Sequence, residues 1–301
     1  MRIGIGDDMA MLRIGGVDVL VTADMLMDGV DFEASKHAPE RIGRKAMAAS
    51  LSDCAAMAVR PRFALVSVAL PNSWTMTQAR RLFRGLEAMA RRHGCLVVGG
   101  DTNSWSKPLV IDVMIVAEPW KGVRPVRRDG MRPGDAVYVT GHLGGSLLGH
   151  HLDFEPRVGE ARRLAKKLGP RLHAMMDLSD GLSTDGHRMA AASGCGIEFD
   201  SAALKSVASE AARRTSASDG GALLDHVLND GEDFELLCAA EPRAASRVRL
   251  ESAWTQVGVA IDQRGLWLRE ATGRPRRIRQ GGWEHWTSGE RRSFDTRDSD
   301  V

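Results

Sequence analysis

Apolar and polar positions alternate along the chain with two periods. Short runs rich in Val, Leu and Ile predict strands over residues 17–23, 63–70, 95–98, 109–116 and 136–140. Between them the spacing changes to three and four. Residues 39–59 read as a helix opened by a proline near its first turn. Residues 75–93 read as a second helix, with Ala79, Leu82, Phe83, Leu86, Met89 and Ala90 on one buried face. Arg80, Arg81, Arg84, Arg91 and Arg92 fall mostly elsewhere on it, a solvated basic face rather than a nucleic-acid surface. The second half predicts a helix after Gly181 and strands over 196–199, 234–239, 255–260 and 266–269. A basic stretch rich in Pro and Gly around 124–134 marks a boundary, giving domains over 1–130 and 131–286. Residues 287–301 are polar and charged and are expected to be disordered.

Composition narrows this α/β reading. The 41 basic and 39 acidic residues leave a net charge of +2, which argues against a general nucleic-acid or membrane-surface binder. No apolar run approaches the roughly 18 residues of a membrane span, and the first residues lack the apolar core of a signal peptide. The four cysteines are scattered without a Cys-x-x-Cys pair. They read as buried free thiols of a cytoplasmic protein rather than a disulfide or zinc site.

The acidic side is uneven, with 24 Asp against 15 Glu. Helices disfavour Asp, so the surplus belongs elsewhere. Much of it falls at glycine-flanked junctions: Asp7 and Asp8, Asp24, Asp28 and Asp31, Asp101, Asp177 and Asp180, and Asp230 and Asp233. Each alone could cap a helix or brace a turn. Asp53 differs, since it lies late in a helix among Leu51, Cys54, Ala55 and Met57, where an unpaired carboxylate is costly. Together the aspartates suggest a converging acidic site. Two like charges about 4 Å apart repel by about 4 kcal/mol at an effective dielectric near 20, so such a pocket needs cations. Hard oxygen donors suit Mg²⁺, and adjacent glycines let backbone N–H groups approach phosphate. No phosphate-loop, dinucleotide, zinc-peptidase or hydrolase motif is present. The residues themselves therefore lead to a Mg²⁺-dependent, phosphate-handling protein, and no further.

An ordered set of motifs carries a resemblance: GIGDDMA, TADMLMDGVDF, SLSDCAAMAVRP, VVGGDT, RRDGMRPGDAVYVTG, MDLSDGLSTD, GEDFELL and GGWEHW. The chain resembles thiamine-monophosphate kinase, of the aminoimidazole ribonucleotide synthetase-like superfamily. The resemblance implies a two-domain fold of mixed sheets flanked by helices, with N-terminal sheets pairing in a cytoplasmic homodimer. It implies ATP-dependent phosphorylation of thiamine monophosphate to thiamine diphosphate, by direct in-line transfer with several Mg²⁺ ions. By motif matching, Asp8, Thr22, Ala23, Asp24, Asp53, Asp101, Asp177 and Asp180 would hold metal. Among these Asp53, Asp101 and Asp180 are closest to the chemistry. Phe83, Gly100, Asp101, Arg128 and Ser179 match nucleotide-contacting positions. Glu232 and Trp283 match positions that hold thiamine, and Asp31 stands where the family commonly has a substrate-contacting His. Further departures are Thr22-Ala23 for Ser-Thr, Asp230-Gly231 for Gly-Gly, Lys205 for Pro, and a start almost on GIGDD where the family carries a helix before it. Neither nucleic acid nor membrane is an expected partner. The alternatives are another ATP-using enzyme of the superfamily, or a non-catalytic homologue that binds nucleotide or a thiamine phosphate.

Overall fold

A computed structural model describes residues 2–244 and 253–282. The chain runs β1 (Ala10–Ile14), β2 (Val17–Met27), α1 (Pro39–Ala56), β3 (Val59–Pro71), α2 (Met76–Arg92), β4 (Leu96–Trp105) and β5 (Val110–Pro119). It continues β6 (Ala136–Thr140), α3 (His150–Asp153), α4 (Val158–Leu168), β7 (Leu172–Leu178), α5 (Leu182–Ser193) and β8 (Gly196–Asp200). The remainder is α6 (Ser201–Ser206), α7 (Glu210–Asp219), α8 (Leu223–Asn229), β9 (Glu235–Ala240), β10 (Trp254–Ile261), β11 (Gly265–Arg269) and β12 (Arg276–Ile278).

The first five strands form a mixed sheet in the order β1-β2-β5-β3-β4, in which only β3 and β4 run parallel, joined by α2. Helices α1 and α2 cover one face. They touch through glycine: a Cβ on Gly43 would lie 2.1 Å from the Leu82 carbonyl oxygen, and one on Gly85 would lie 2.0 Å from that of Glu40. Any side chain there would force the helices apart. Proline stands at the first turn of α1, and Thr75 and Gln78 form a capping box at the start of α2. Ile42, Met47, Leu51, Leu86, Ile111, Val113 and Ile115 fill the interior between helices and sheet. Among the described residues nothing covers the opposite face of the sheet, which is left bare, and Met25, Phe63, Leu65, Leu96 and Val98 are exposed on it.

A seven-stranded sheet follows, ordered β12-β11-β8-β10-β6-β9-β7 and antiparallel except between β8 and β11. One core lies beneath α5, α6 and α8 and includes Leu182, Met189, Ile197, Phe199 and Leu237. A second joins α4 and the far end of α1, with Ala55, Ala56, Tyr138, Leu164 and Leu236 in contact, and so ties the two sheets into one body. The four cysteines are free and buried, as their spacing suggested. Among the described residues no helix is long and apolar enough to cross a membrane.

Candidate active site

Four segments that are distant in sequence converge where the two sheets meet. Strand β2 turns Thr22 and Asp24 toward α1, while Ala23 points to the bare face. Helix α1 contributes Ser52 and Asp53, one turn from its C-terminal end. Strand β7 brings Asp177 at its penultimate position, and the opening segment brings Asp8. Carboxylate oxygens of Asp8, Asp53 and Asp177 all lie within 4.8 Å of one another. The surrounding polar groups hold this arrangement. Ser52 donates to Asp177 at 2.6 Å, Thr22 donates to Asp53, and Arg128 donates to Asp8 at 2.8 Å.

These charges are poorly matched. Burial pushes the carboxyls of Asp8 and Asp53 well above the usual range, and neighbouring aspartates add to it. Burial likewise raises Asp24 to about 6 and raises Asp177, the latter opposed by Ser52 and Arg128. Asp53 also faces the negative end of the α1 dipole. One oxygen each of Asp8 and Asp24 is buried with no hydrogen-bond partner among the described residues. Arg128 is the cation that ion-pairs with Asp8. Crowded, orphaned carboxylate oxygens of this kind are a hard donor set, and they fit a divalent cation such as Mg²⁺.

A pocket of about 210 Å³ opens beside the cluster, lined by Asp24, Asp31, Lys45, Ser179, Asp180 and Glu232 among others. Two loops form its wall: Glu232 N donates to Ser179 O at 2.7 Å, and Phe234 N donates to Leu178 O at 2.8 Å. Glu232 has a φ of 58°, a left-handed conformation that costs a non-glycine residue about 1–2 kcal/mol. Burial pushes its carboxyl up, but the adjacent His151 and Lys45 more than offset this and leave it below the ordinary value. Asp31 spends part of its charge locally, since its Oδ2 accepts from Met27 N at 2.7 Å and closes the turn after β2. Asp180 does not cap α5; Gly181 takes that place. Asp180 is instead ion-paired to Arg188 at 2.5 Å, which also holds Asp185 at 2.8 Å.

Three expected residues stand apart. Register places Asp24, Val113, Val66 and Gly100 in one row across the sheet, so Gly100 is three strand spacings, about 14 Å, from Asp24. Asp101 pairs with Ser67, on the same face as Leu65. It therefore lies on the bare face of the sheet, away from the cluster. Gly100 has a φ of 145°, and a Cβ there would lie 1.8 Å from the Val66 carbonyl oxygen, so no other residue fits. Phe83 is exposed on α2 and lines a separate groove of about 620 Å³ with Thr102, Val68 and Leu86. Trp283 lies outside the described residues. Sequence reading missed Lys45, Ser52, His151 and Arg188. A signal existed for Lys45: it is a lysine eight residues before Asp53 in a helix whose intervening positions are all small or apolar.

This fold and acidic cleft define a class. Residues 6–118 match the N-terminal domain of AIR synthase related proteins, and residues 132–266 match their C-terminal domain. Within that class the likeness is closer still. The chain is 38% identical to the thiamine-monophosphate kinase of Rhodopirellula baltica over 95% of its length and 92% of that protein. It is 30% identical to the thiamine-monophosphate kinase of Aquifex aeolicus over 94% of its length and 92% of that protein. A solved structure described as AaThiL complexed with AMPPCP and TMP superposes with a TM-score of 0.80 at 27% identity, covering 95% of this chain and 93% of that one. The chain belongs to the thiamine-monophosphate kinase family.

Proposed function

We propose that this protein transfers the terminal phosphoryl group of ATP to thiamine monophosphate, giving thiamine diphosphate and ADP. The observation that carries this reading is the triad of buried Asp177 with half-buried Asp8 and Asp53, a set of carboxylates that needs cations, opening beside a pocket that presents Glu232. Phosphoryl transfer asks for positioning and charge neutralisation more than covalent chemistry. The resemblance to a structure holding AMPPCP, an ATP analogue, and TMP supports both substrates.

In this reading Asp8, Asp24, Asp53 and Asp177 would hold several Mg²⁺ ions, with Thr22 and the Ala23 carbonyl as further oxygen donors. Bound there, Mg²⁺ supplies charge neutralisation to the polyphosphate. Asp180 is the further metal position at the mouth of the pocket and would exchange Arg188 for the ion. Arg128 is already oriented over Asp8 and provides a fixed positive charge at the phosphates. Ser179 lines the pocket next to Asp180 and offers its hydroxyl to the nucleotide. Glu232 faces the cationic end of thiamine, Trp283 stacks on its ring, and Asp31 borders the same pocket. The phosphate acceptor is already ionised near neutral pH, so a direct in-line transfer would need no strong general base.

Asp101 would complete the nucleotide site only if a second copy supplies it across the bare face, whereas Phe83 on α2 lies on the helix-covered side of the sheet. Two bare sheet faces packed together would bury Met25, Phe63, Leu65, Leu96 and Val98, and would turn Asp101 of one copy toward the other. We therefore propose a homodimer, working in the cytoplasm. The test is product formation: thiamine monophosphate, ATP and Mg²⁺ should yield thiamine diphosphate, while aminoimidazole precursors and selenide should yield nothing. Absence of thiamine diphosphate would overturn the assignment.

A further inference from the structure

Lys45 is buried in the middle of α1 and lines the pocket from below. A lysine ammonium has three N–H donors and no lone pair. Here the three are spent on three different elements. One goes to the Asp31 carbonyl at the end of the β2 turn, one to Oε2 of Glu232, and one to Nδ1 of His151 on α3 at 3.0 Å. The His151–Glu232 separation of 3.7 Å is longer, so the lysine is the stronger tie to the carboxylate.

Glu232 is thus held by one oxygen. Its side chain remains a quarter exposed, its backbone is fixed in a left-handed turn, and its amide is bonded to Ser179. With Oε2 engaged below, Oε1 is the oxygen left to face the pocket. We propose that Lys45 is a positioning residue: it aims Oε1 of Glu232 at the cationic ring of thiamine monophosphate and thereby sets affinity for that substrate. This deepens the kinase reading above and rests on it.

The role separates from a purely structural one by which substrate it affects. Lys45→Met should raise KM for thiamine monophosphate about tenfold while KM for ATP stays within twofold and kcat within threefold. Glu232→Gln should raise the same KM. The Lys45→Met/Glu232→Gln double variant should be no worse than Glu232→Gln alone, because Lys45 acts through that carboxylate. The double variant also leaves no buried charge orphaned, so it supplies the comparison if Lys45→Met does not fold. Equal changes in both KM values, no change, or a double variant a further tenfold weaker than Glu232→Gln would overturn the proposal. If the parent forms no thiamine diphosphate, the kinase reading fails by itself. Calorimetric titration with thiamine monophosphate alone then decides the Lys45 question: unchanged affinity in Lys45→Met overturns it, and about tenfold weaker binding supports it.

Discussion

Asp53 is placed where a carboxylate is hard to keep: half-buried, at the negative end of α1, and facing Asp8 and Asp177. Its neutralisation should therefore help the metal-free fold and ruin the reaction. Asp53→Asn is expected to lower kcat by about a thousandfold, the scale seen when one preorganised electrostatic group is lost. In EDTA the same variant should melt at a higher temperature than the parent, and the added stability that Mg²⁺ gives the parent should shrink. A variant that melts lower in EDTA yet keeps its turnover would show that Asp53 is a structural acid. At this scale the sequence was informative in one respect and silent in another. Glycine-flanked aspartates and a carboxylate among alanines stood out as a group. The partners that aim them did not, because Ser52, Lys45, His151 and Arg188 owe their roles to contacts between distant segments. Nor could spacing reveal that Asp101 belongs to the opposite face of the sheet. That follows from strand register, and one residue of slip would reverse it.

Among the elements, β6 begins and ends as its apolar run suggested, and α2 follows its three-four pattern to within a residue at each end. Strand β4 is longer than its apolar stretch. Gly99, Gly100 and the polar residues after them hide a strand that pairing with β3 sustains through Trp105. The short β1 and the helices α6, α7 and α8 carry weak or broken periodicity and were not anticipated; neither were β7 and α4, although α4 buries Val158, Ala161, Leu164, Ala165 and Leu168 at three-four spacing, and β1 depends on its hairpin partner β2. The glycine-rich segment after β6 is a sharp turn, with Gly141, Gly144, Gly145 and Gly149 at positive φ, and it is tethered from below. Asp233 accepts from Gly144 N at 2.9 Å and from the Ser146 hydroxyl, and Asp230 accepts from Gly145 N at 2.7 Å. Burial raises the Asp233 carboxyl to about 7, against the opposing pull of those two hydrogen bonds. A carboxyl raised in the folded state binds its proton more tightly there than in the unfolded chain. Its contribution is complete below the unfolded value of 3.8 and is lost as pH rises to about 7. The loss approaches about 1.4 kcal/mol per pH unit as an upper bound. Between pH 4 and 7 the melting temperature of Asp233→Asn should therefore fall less steeply than that of the parent. By pH 8 the variant should be the more stable. Parallel curves would mean that Asp233 is ionised throughout.

Seen whole, one chain holds a cation-demanding cluster between its sheets and, on the bare face of the first sheet, Asp101. If two copies complete each other, Asp53→Asn and Asp101→Asn inactivate the same site from different chains. Mixing the two inactive variants under exchange conditions should then restore about a quarter of the parental activity, since half of the random pairs are mixed and each holds one intact site of two. No recovery, with mixed dimers demonstrated by mass, would place both aspartates in one chain's own site. The large architecture was legible from the motif order, which carries nearly the whole chain into one family. The division of the site between faces was not, because it depends on which side of a sheet is left bare.

The buried thiols have a use of their own. Cys54 and Cys95 belong to the core of the first sheet, Cys195 to that beneath α5, and Cys238 to the layer joining the two sheets through α4. Burial holds Cys95 up at about 11, so the folded form should ignore iodoacetamide at neutral pH. Each alkylation then timestamps an opening of its own neighbourhood. Peptide mass spectrometry over a labelling time course would order those openings, and Mg²⁺ should slow Cys54, the neighbour of Asp53, more than Cys195.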